Sequence, residues 1–112
     1  MIDWARVTEL RDEIGGDDFA EVVALFLEEA DEVVEKLPKC SDAKSLESGL
    51  HFLKGSALNL GFAELAQRCQ EGERDAASGN AQIDVGSVAR CYEVSKAAFQ
   101  TGLAQLGATD AA

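Results

Sequence analysis

Histidine, proline and tryptophan each occur once in this chain, and bases are half as common as acids. Each shortage excludes something. One histidine is too few for the usual zinc sites, which draw their ligands from several Cys and His side chains. The three cysteines, Cys40, Cys69 and Cys91, are odd in number and widely spaced, with no C-x-x-C pair. That pattern gives neither a disulfide framework nor a thiol-redox motif. They are expected to be reduced thiols, with Cys69 and Cys91 acting as small core residues inside helices. Ten Lys and Arg against 21 Asp and Glu give a net charge of -11. Such a surface repels nucleic acid and anionic membranes and suits a soluble monomer. Net charge alone does not identify a basic partner. No apolar run approaches the ~18 residues a membrane span needs. The N-terminal Met1-Ile2-Asp3-Trp4 lacks the basic and apolar regions of a signal peptide, so the cytoplasm is the expected compartment. Neither a P-loop nor a kinase glycine-rich segment occurs, so no ATP site is visible.

What remains favours helices. Hydrophobic content is 46% over 112 residues, enough for one domain with a real core. Asp3 is a good N-cap for a leading helix that stops at Gly15-Gly16. Asp17 or Asp18 is expected to cap the next. Phe19, Val22, Val23, Phe26, Ala30, Val33, Val34 and Leu37 then recur at helical spacing, and Pro38 ends the run. Ser41 or Asp42 opens a third helix with the stripe Leu46, Leu50, Leu53, Ala57 and Leu60, closed by Gly61. A fourth runs from about Phe62 to Ala77, with Leu65, Ala66, Cys69 and Ala76 inward. After the loop signal Ser78-Gly79-Asn80, a fifth starts beyond Asp84. It points Val85, Val88, Tyr92, Ser95, Phe99, Leu103 and Leu106 to the core, and a small-residue tail covers 107–112. Strand patterns are nearly absent. The expected fold is all-α: an up-down antiparallel four-helix bundle, core about 17–106, with a short extra N-terminal helix packed at one end.

The lone histidine, His51, falls on the third helix. At about 100° per residue, with Leu46 at zero, the core stripe stays within roughly 40°. His51 then lies near 140°, Leu58 near 120°, Gly55 near 180° and Ser48 near 200°, by the same ~100° step. His51 therefore points away from the core, and Ser48 and Leu58 on its side are candidate partner-docking residues. Gly55, one turn on, is a helix-interior glycine, which costs ~1 kcal/mol relative to alanine. Its place opposite the core makes clearance for an incoming partner the reason to keep it. Lys54 can turn its ammonium toward a charged group on the ring, a phosphoryl oxygen above all.

His51, Lys54, Gly55, Ser56 and Gly61 resemble the motif of histidine-containing phosphotransfer (HPt) domains, approximately H-x-x-K-G-[SA]-x-x-x-x-G, without departure. Phe62-Ala63-Glu64-Leu65-Ala66 and Cys69 resemble the start of the next family helix. The resemblance covers about residues 45–77 by motif and the rest by helix order. It implies a single HPt-like domain over 1–112 that carries a phosphoryl group on His51 in a phosphorelay. The group comes from a receiver-domain phosphoaspartate, or from a receiver linked to a hybrid sensor histidine kinase, and passes to a response-regulator aspartate. No cofactor is implied on this chain; the receiver partner supplies the Mg²⁺. Such a carrier is not an enzyme with its own ATP site. A histidine-kinase dimerisation helix instead tends to show an acid after its histidine and a proline further on, whereas Phe52 follows His51 here.

The resemblance also implies an acceptor on the next helix that fixes the ring tautomer and leaves Nε2 free to attack. Glu73 stands at the expected position, and Gln70, about a turn earlier, is the substitute. Ser56 falls on another side of the helix from His51, so its hydroxyl is a weak site. Two further readings stand beside the carrier. One is a helical adaptor that binds receivers without being phosphorylated. The other is the phosphoacceptor domain of a chemotaxis-type kinase, for which 112 residues leave no catalytic domain.

Overall fold

Three glycines with left-handed backbone punctuate the chain: Gly15 (φ 96°), Gly61 (φ 77°) and Gly79 (φ 94°). The structure is a computed structural model that describes residues 2–111, with side chains through residue 105. Helix α1 spans Trp4–Ile14, and the Asp3 side chain caps it by accepting from the Arg6 N–H at 3.3 Å. Gly15 both ends α1 and precedes α2, Gly16–Lys36. Asp17 and Asp18 are therefore not caps, contrary to the sequence expectation. They lie inside the first turn of α2, where their charge complements the helix dipole. Pro38 lacks the N–H that a continuing helix needs. The chain accordingly tightens into a 3-10 turn at Leu37–Lys39.

Helix α3 spans Ala43–Leu60, opened by the Asp42 side chain, which accepts from the Ser45 N–H at 3.1 Å. It stops at Gly61, where the N–H of Phe62 returns to the Ala57 carbonyl at 2.8 Å. Helix α4 spans Ala63–Ala77, and α5 spans Val85–Ala111. The Asp84 side chain accepts from the Ser87 N–H at 2.9 Å at the start of α5. The helical backbone runs on through 107–111, where the sequence suggested a tail. Leu106, expected on the inner face of α5, lies outside the described side chains.

The four long helices close a ring. Helix α3 packs against α2 and α4, α4 against α5, and α5 against α2. The core is aliphatic around α3, with an aromatic group of Phe62, Tyr92 and Phe99 at its other side, each fully buried. Phe62 meets Phe99 edge-on at 5.2 Å between ring centres. Tyr92 is sealed in and its hydroxyl reaches α2, donating to Asp31 Oδ1 at 2.5 Å and lying 3.2 Å from the Leu27 carbonyl oxygen. Burial, ahead of the Asp31 carboxylate, pushes the Tyr92 phenol far up, so it stays a neutral donor. The buried residues of α2 differ from the sequence stripe. Leu27 is buried although the stripe omitted it, while Val22, Phe26, Val33 and Val34 are only half-buried.

Cys69 and Cys91 are free, buried thiols, as expected from their helical positions. Burial pushes the Cys69 thiol up to about 12. Burial also raises the Cys91 thiol. Neither is a poised thiolate at neutral pH.

Helix α1 is tied down more firmly than a loosely packed extra element. Trp4 stacks on Phe99 with ring centres 6.0 Å apart and planes 6° from parallel. Its ring also fills the space where a side chain at Gly102 would stand. The Asp3 N–H donates to the Gly61 carbonyl at 2.7 Å. A Cβ on Gly61 would come within 2.6 Å of the Asp3 carbonyl oxygen, so that position needs glycine for room as well as for φ.

Candidate functional site

The turn at Gly61–Phe62 folds α4 back along α3, and this places residues about equally far from the turn side by side. Leu50 meets Gly72 in the buried seam, and their neighbours His51 and Glu73 meet at its outer rim. His51 Nδ1 lies 2.7 Å from Glu73 Oε1. The His51 side chain is 69% exposed, whereas that of Glu73 is 21% exposed. The sequence phase for His51 is thus correct: the ring stands outside the leucine stripe, and Leu50 and Leu53 on either side are fully buried.

Glu73 holds a second partner. Lys54 Nζ lies 2.8 Å from Glu73 Oε2, with the lysine side chain 23% exposed. One carboxylate therefore binds the ring with one oxygen and the ammonium with the other. The Lys54 hydrogen bond, first, holds the Glu73 carboxyl below the usual carboxylate range; partial burial opposes it and the His51 hydrogen bond adds to it. An ionised carboxylate has only acceptor sites. The 2.7 Å contact therefore requires the proton on His51 Nδ1. In the neutral ring the lone pair is then left on Nε2, across the ring from Glu73. A nucleophilic nitrogen facing outward, with a carboxylate behind it to support positive charge, suits covalent transfer of an electrophilic group.

Gly55 follows one turn on, and a Cβ built there would meet nothing within 4 Å. Internal packing does not demand a glycine at this point. Its carbonyl accepts from Asn59 Nδ2 at 2.9 Å, and Asn59 Oδ1 accepts from Arg6 Nη2 at 3.1 Å. Arg6 is itself paired with Glu9 at 2.7 Å, so α1 reaches the face that carries His51. Around the ring, Ser48 is exposed, and two large apolar side chains, Phe52 (45%) and Leu58 (57%), stand out in solvent.

Ser56, kept as a weak site, is 5% exposed on the core flank of α3, off the surface of His51 as its helical phase indicated. Gln70 does not take the place of Glu73; it is exposed and lines a shallow groove with Glu47, Lys54, Glu73, Arg74 and Ala77. Sequence reasoning missed Arg6, which carries no local sign of its contact with α3. It also missed Gly72, whose place inside a helix was a readable signal.

A match to the Hpt domain family covers residues 21–109, most of the chain. The chain belongs to the Hpt domain family. The Hpt domain here is 35% identical, over 75 residues, to the phosphorelay intermediate protein YPD1 of Candida albicans. That alignment covers 62% of this chain and 41% of the relative, so the chain spans about two-fifths of the length of the curated relative it matches. The fold is similar to the crystal structure of histidine-containing phosphotransfer protein B (HptB) from Pseudomonas aeruginosa PAO1. The TM-score is 0.77 at 23% identity, with 90% of this chain and 92% of that chain covered. The helical-bundle fold expected from the sequence is thus the one found. Among the described residues, no helix is long and apolar enough to cross a membrane.

Proposed function

We propose that this Hpt domain is a phosphorelay carrier in which His51 Nε2 accepts a phosphoryl group from a receiver-domain phosphoaspartate and passes it to a response-regulator aspartate. The observation that carries the reading is the 2.7 Å contact between His51 Nδ1 and Glu73 Oε1 beneath a ring that is 69% exposed. In the first step the Nε2 lone pair attacks phosphorus, a P–N bond forms, and the P–O bond to the donor aspartate breaks. The donor leaves as a free carboxylate. The ring keeps its Nδ1 proton and becomes cationic, and the Glu73 carboxylate offsets that charge. In the second step a carboxylate oxygen of the acceptor regulator attacks phosphorus, the P–N bond breaks, and neutral His51 is restored.

Phosphoryl transfer through a loose transition state depends mainly on positioning and charge compensation. Lys54, a side chain's length from the ring, supplies a cation for the phosphoryl oxygens, and Gly55 leaves the approach open. Ser48, Phe52 and Leu58 form the rim on which a receiver docks. Mg²⁺ belongs to the receiver, and the chain acts as a carrier without an ATP site of its own. A hybrid sensor histidine kinase stands upstream, and transfer takes place in the cytoplasm between a monomeric carrier and its receivers.

Incubation with a phosphorylated receiver tests this reading. The protein should acquire an acid-labile, base-stable phosphate, and His51→Gln should abolish it with helical content unchanged. Binding of receivers with no label on the unaltered protein would replace the carrier by the adaptor. A label that survives His51→Gln would move the phosphoacceptor elsewhere.

A further inference from the structure

Gly72 sits inside α4 with no side chain, although an interior helical glycine costs about 1 kcal/mol relative to alanine. Its backbone gives no reason for this, since the glycines with left-handed φ are Gly15, Gly61 and Gly79. The reason is space. A Cβ on Gly72 would lie 2.9 Å from Leu50 Cδ1, 3.7 Å from Leu50 Cδ2 and 3.4 Å from Ile83 Cγ2. Leu50 is fully buried, with 0% exposure, so its side chain has little room to retreat. Leu50 and Gly72 are the residues immediately before His51 and Glu73. The spacing of the buried pair therefore sets the spacing of the exposed pair.

We propose that Gly72 is a positioning residue, whose missing side chain seats α4 on Leu50 and so holds Glu73 at hydrogen-bond distance from His51. This rests on the phosphocarrier reading of the site. The margin is narrow. The His51–Glu73 contact is 2.7 Å, and useful N–H···O bonds end near about 3.2 Å. A displacement of α4 by several tenths of an ångström uses up that margin. Without Glu73 in reach, the Nδ1 proton loses its acceptor and the lone pair on Nε2 is no longer assured.

The test compares Gly72→Ala, Gly72→Ala with Leu50→Val, and the unaltered protein. Leu50→Val removes the methyl groups that a Cβ at position 72 would meet. The first readout is the ¹⁵N chemical-shift pattern of the His51 ring, which reports the tautomer without any transfer reaction. The second is the rate of phosphoryl transfer from a phosphorylated receiver. Gly72→Ala should shift the ring away from the Nδ1–H tautomer and slow transfer by about ten- to a hundredfold, the scale of an ångström-sized misplacement. Adding Leu50→Val should restore both. An unchanged tautomer in folded Gly72→Ala overturns the proposal, as does a double variant that folds without recovering the tautomer. Should Gly72→Ala alone fail to fold, the tautomer of the double variant decides. Absence of transfer by the unaltered protein would sink the carrier reading and leave the tautomer comparison intact as the test of positioning.

Discussion

Lys54 and Glu73 form an ion pair at 2.8 Å, so the cation expected to meet the phosphoryl group is already engaged before any phosphate arrives. On the proposed reading, transfer onto His51 would bring phosphoryl oxygens that compete with Glu73 for the ammonium. Lys54→Ala should therefore slow phosphorylation of His51 while leaving the protein labelled. Each ~1.4 kcal/mol of lost charge compensation is a tenfold loss of rate, and a loss on the order of tenfold is expected. Lys54→Arg should recover only part of the rate, because a planar fork does not replace a compact ammonium. Single-turnover transfer from a phosphorylated receiver measures both variants.

The Glu73 carboxyl is held below its ordinary value, mainly by Lys54, and this has a signed consequence for stability. A depressed folded value means that the unfolded chain takes up the proton first as pH falls. The stabilisation is present in full above the ordinary glutamate value of 4.5 and is lost as pH drops through the lower folded value. Glu73→Gln should remove that part of the acid limb, with a change within about 1 kcal/mol at neutral pH, as for a partly exposed ion pair. Chemical denaturation of the two proteins between neutral and strongly acidic pH measures the difference. At neutral pH the amide oxygen can still accept from Nδ1, so Glu73→Gln should transfer faster than Glu73→Ala.

The site was legible where its geometry is local. His51, Lys54 and Gly55 lie within one turn of one helix, so a fixed angular step placed them correctly. The same step put Ser56 off the His51 side, and it is buried. What was not legible depends on which helices meet. Nothing near Arg6 signals that it reaches Asn59 across the bundle at 3.1 Å. Glu73 was named ahead of Gln70 from the resemblance, but its contact with His51 turns on the register of α4 against α3. The close approach at Gly72 sets that register, and it becomes visible only when Leu50 is seen beneath it.

Gly55 offers a case in which stability and function should move in opposite directions. A Cβ there meets nothing within 4 Å, so a side chain costs no packing. Replacing an interior helical glycine by a good helix former gains about 0.5–1 kcal/mol. Gly55→Gln should therefore raise the melting temperature while slowing transfer from a receiver, because its side chain stands in the approach to His51. Thermal unfolding followed by circular dichroism, set beside the transfer rate, tests both halves. A variant that gains stability and transfers at the unaltered rate would remove the clearance argument.

The last prediction concerns the anchoring of α1. Trp4 is the sole tryptophan, stacked on Phe99 at 6.0 Å and occupying the place of a side chain at Gly102. Gly102→Ala puts a methyl group into that ring, and the rigid indole can only swing out. Overpacking of this kind costs about 1–3 kcal/mol. Tryptophan fluorescence should shift to the red as the ring enters water, and the melting temperature should fall. His51 lies on the middle of α3 and is oriented by α4, so its tautomer should be retained in the folded variant. The Arg6–Asn59 bond depends on α1 staying seated, so a loosened α1 should also release Asn59 from Arg6, with a change in the Asn59 side-chain amide signals. Red-shifted emission with an unmoved Asn59 would show that Trp4 and Arg6 anchor the helix independently.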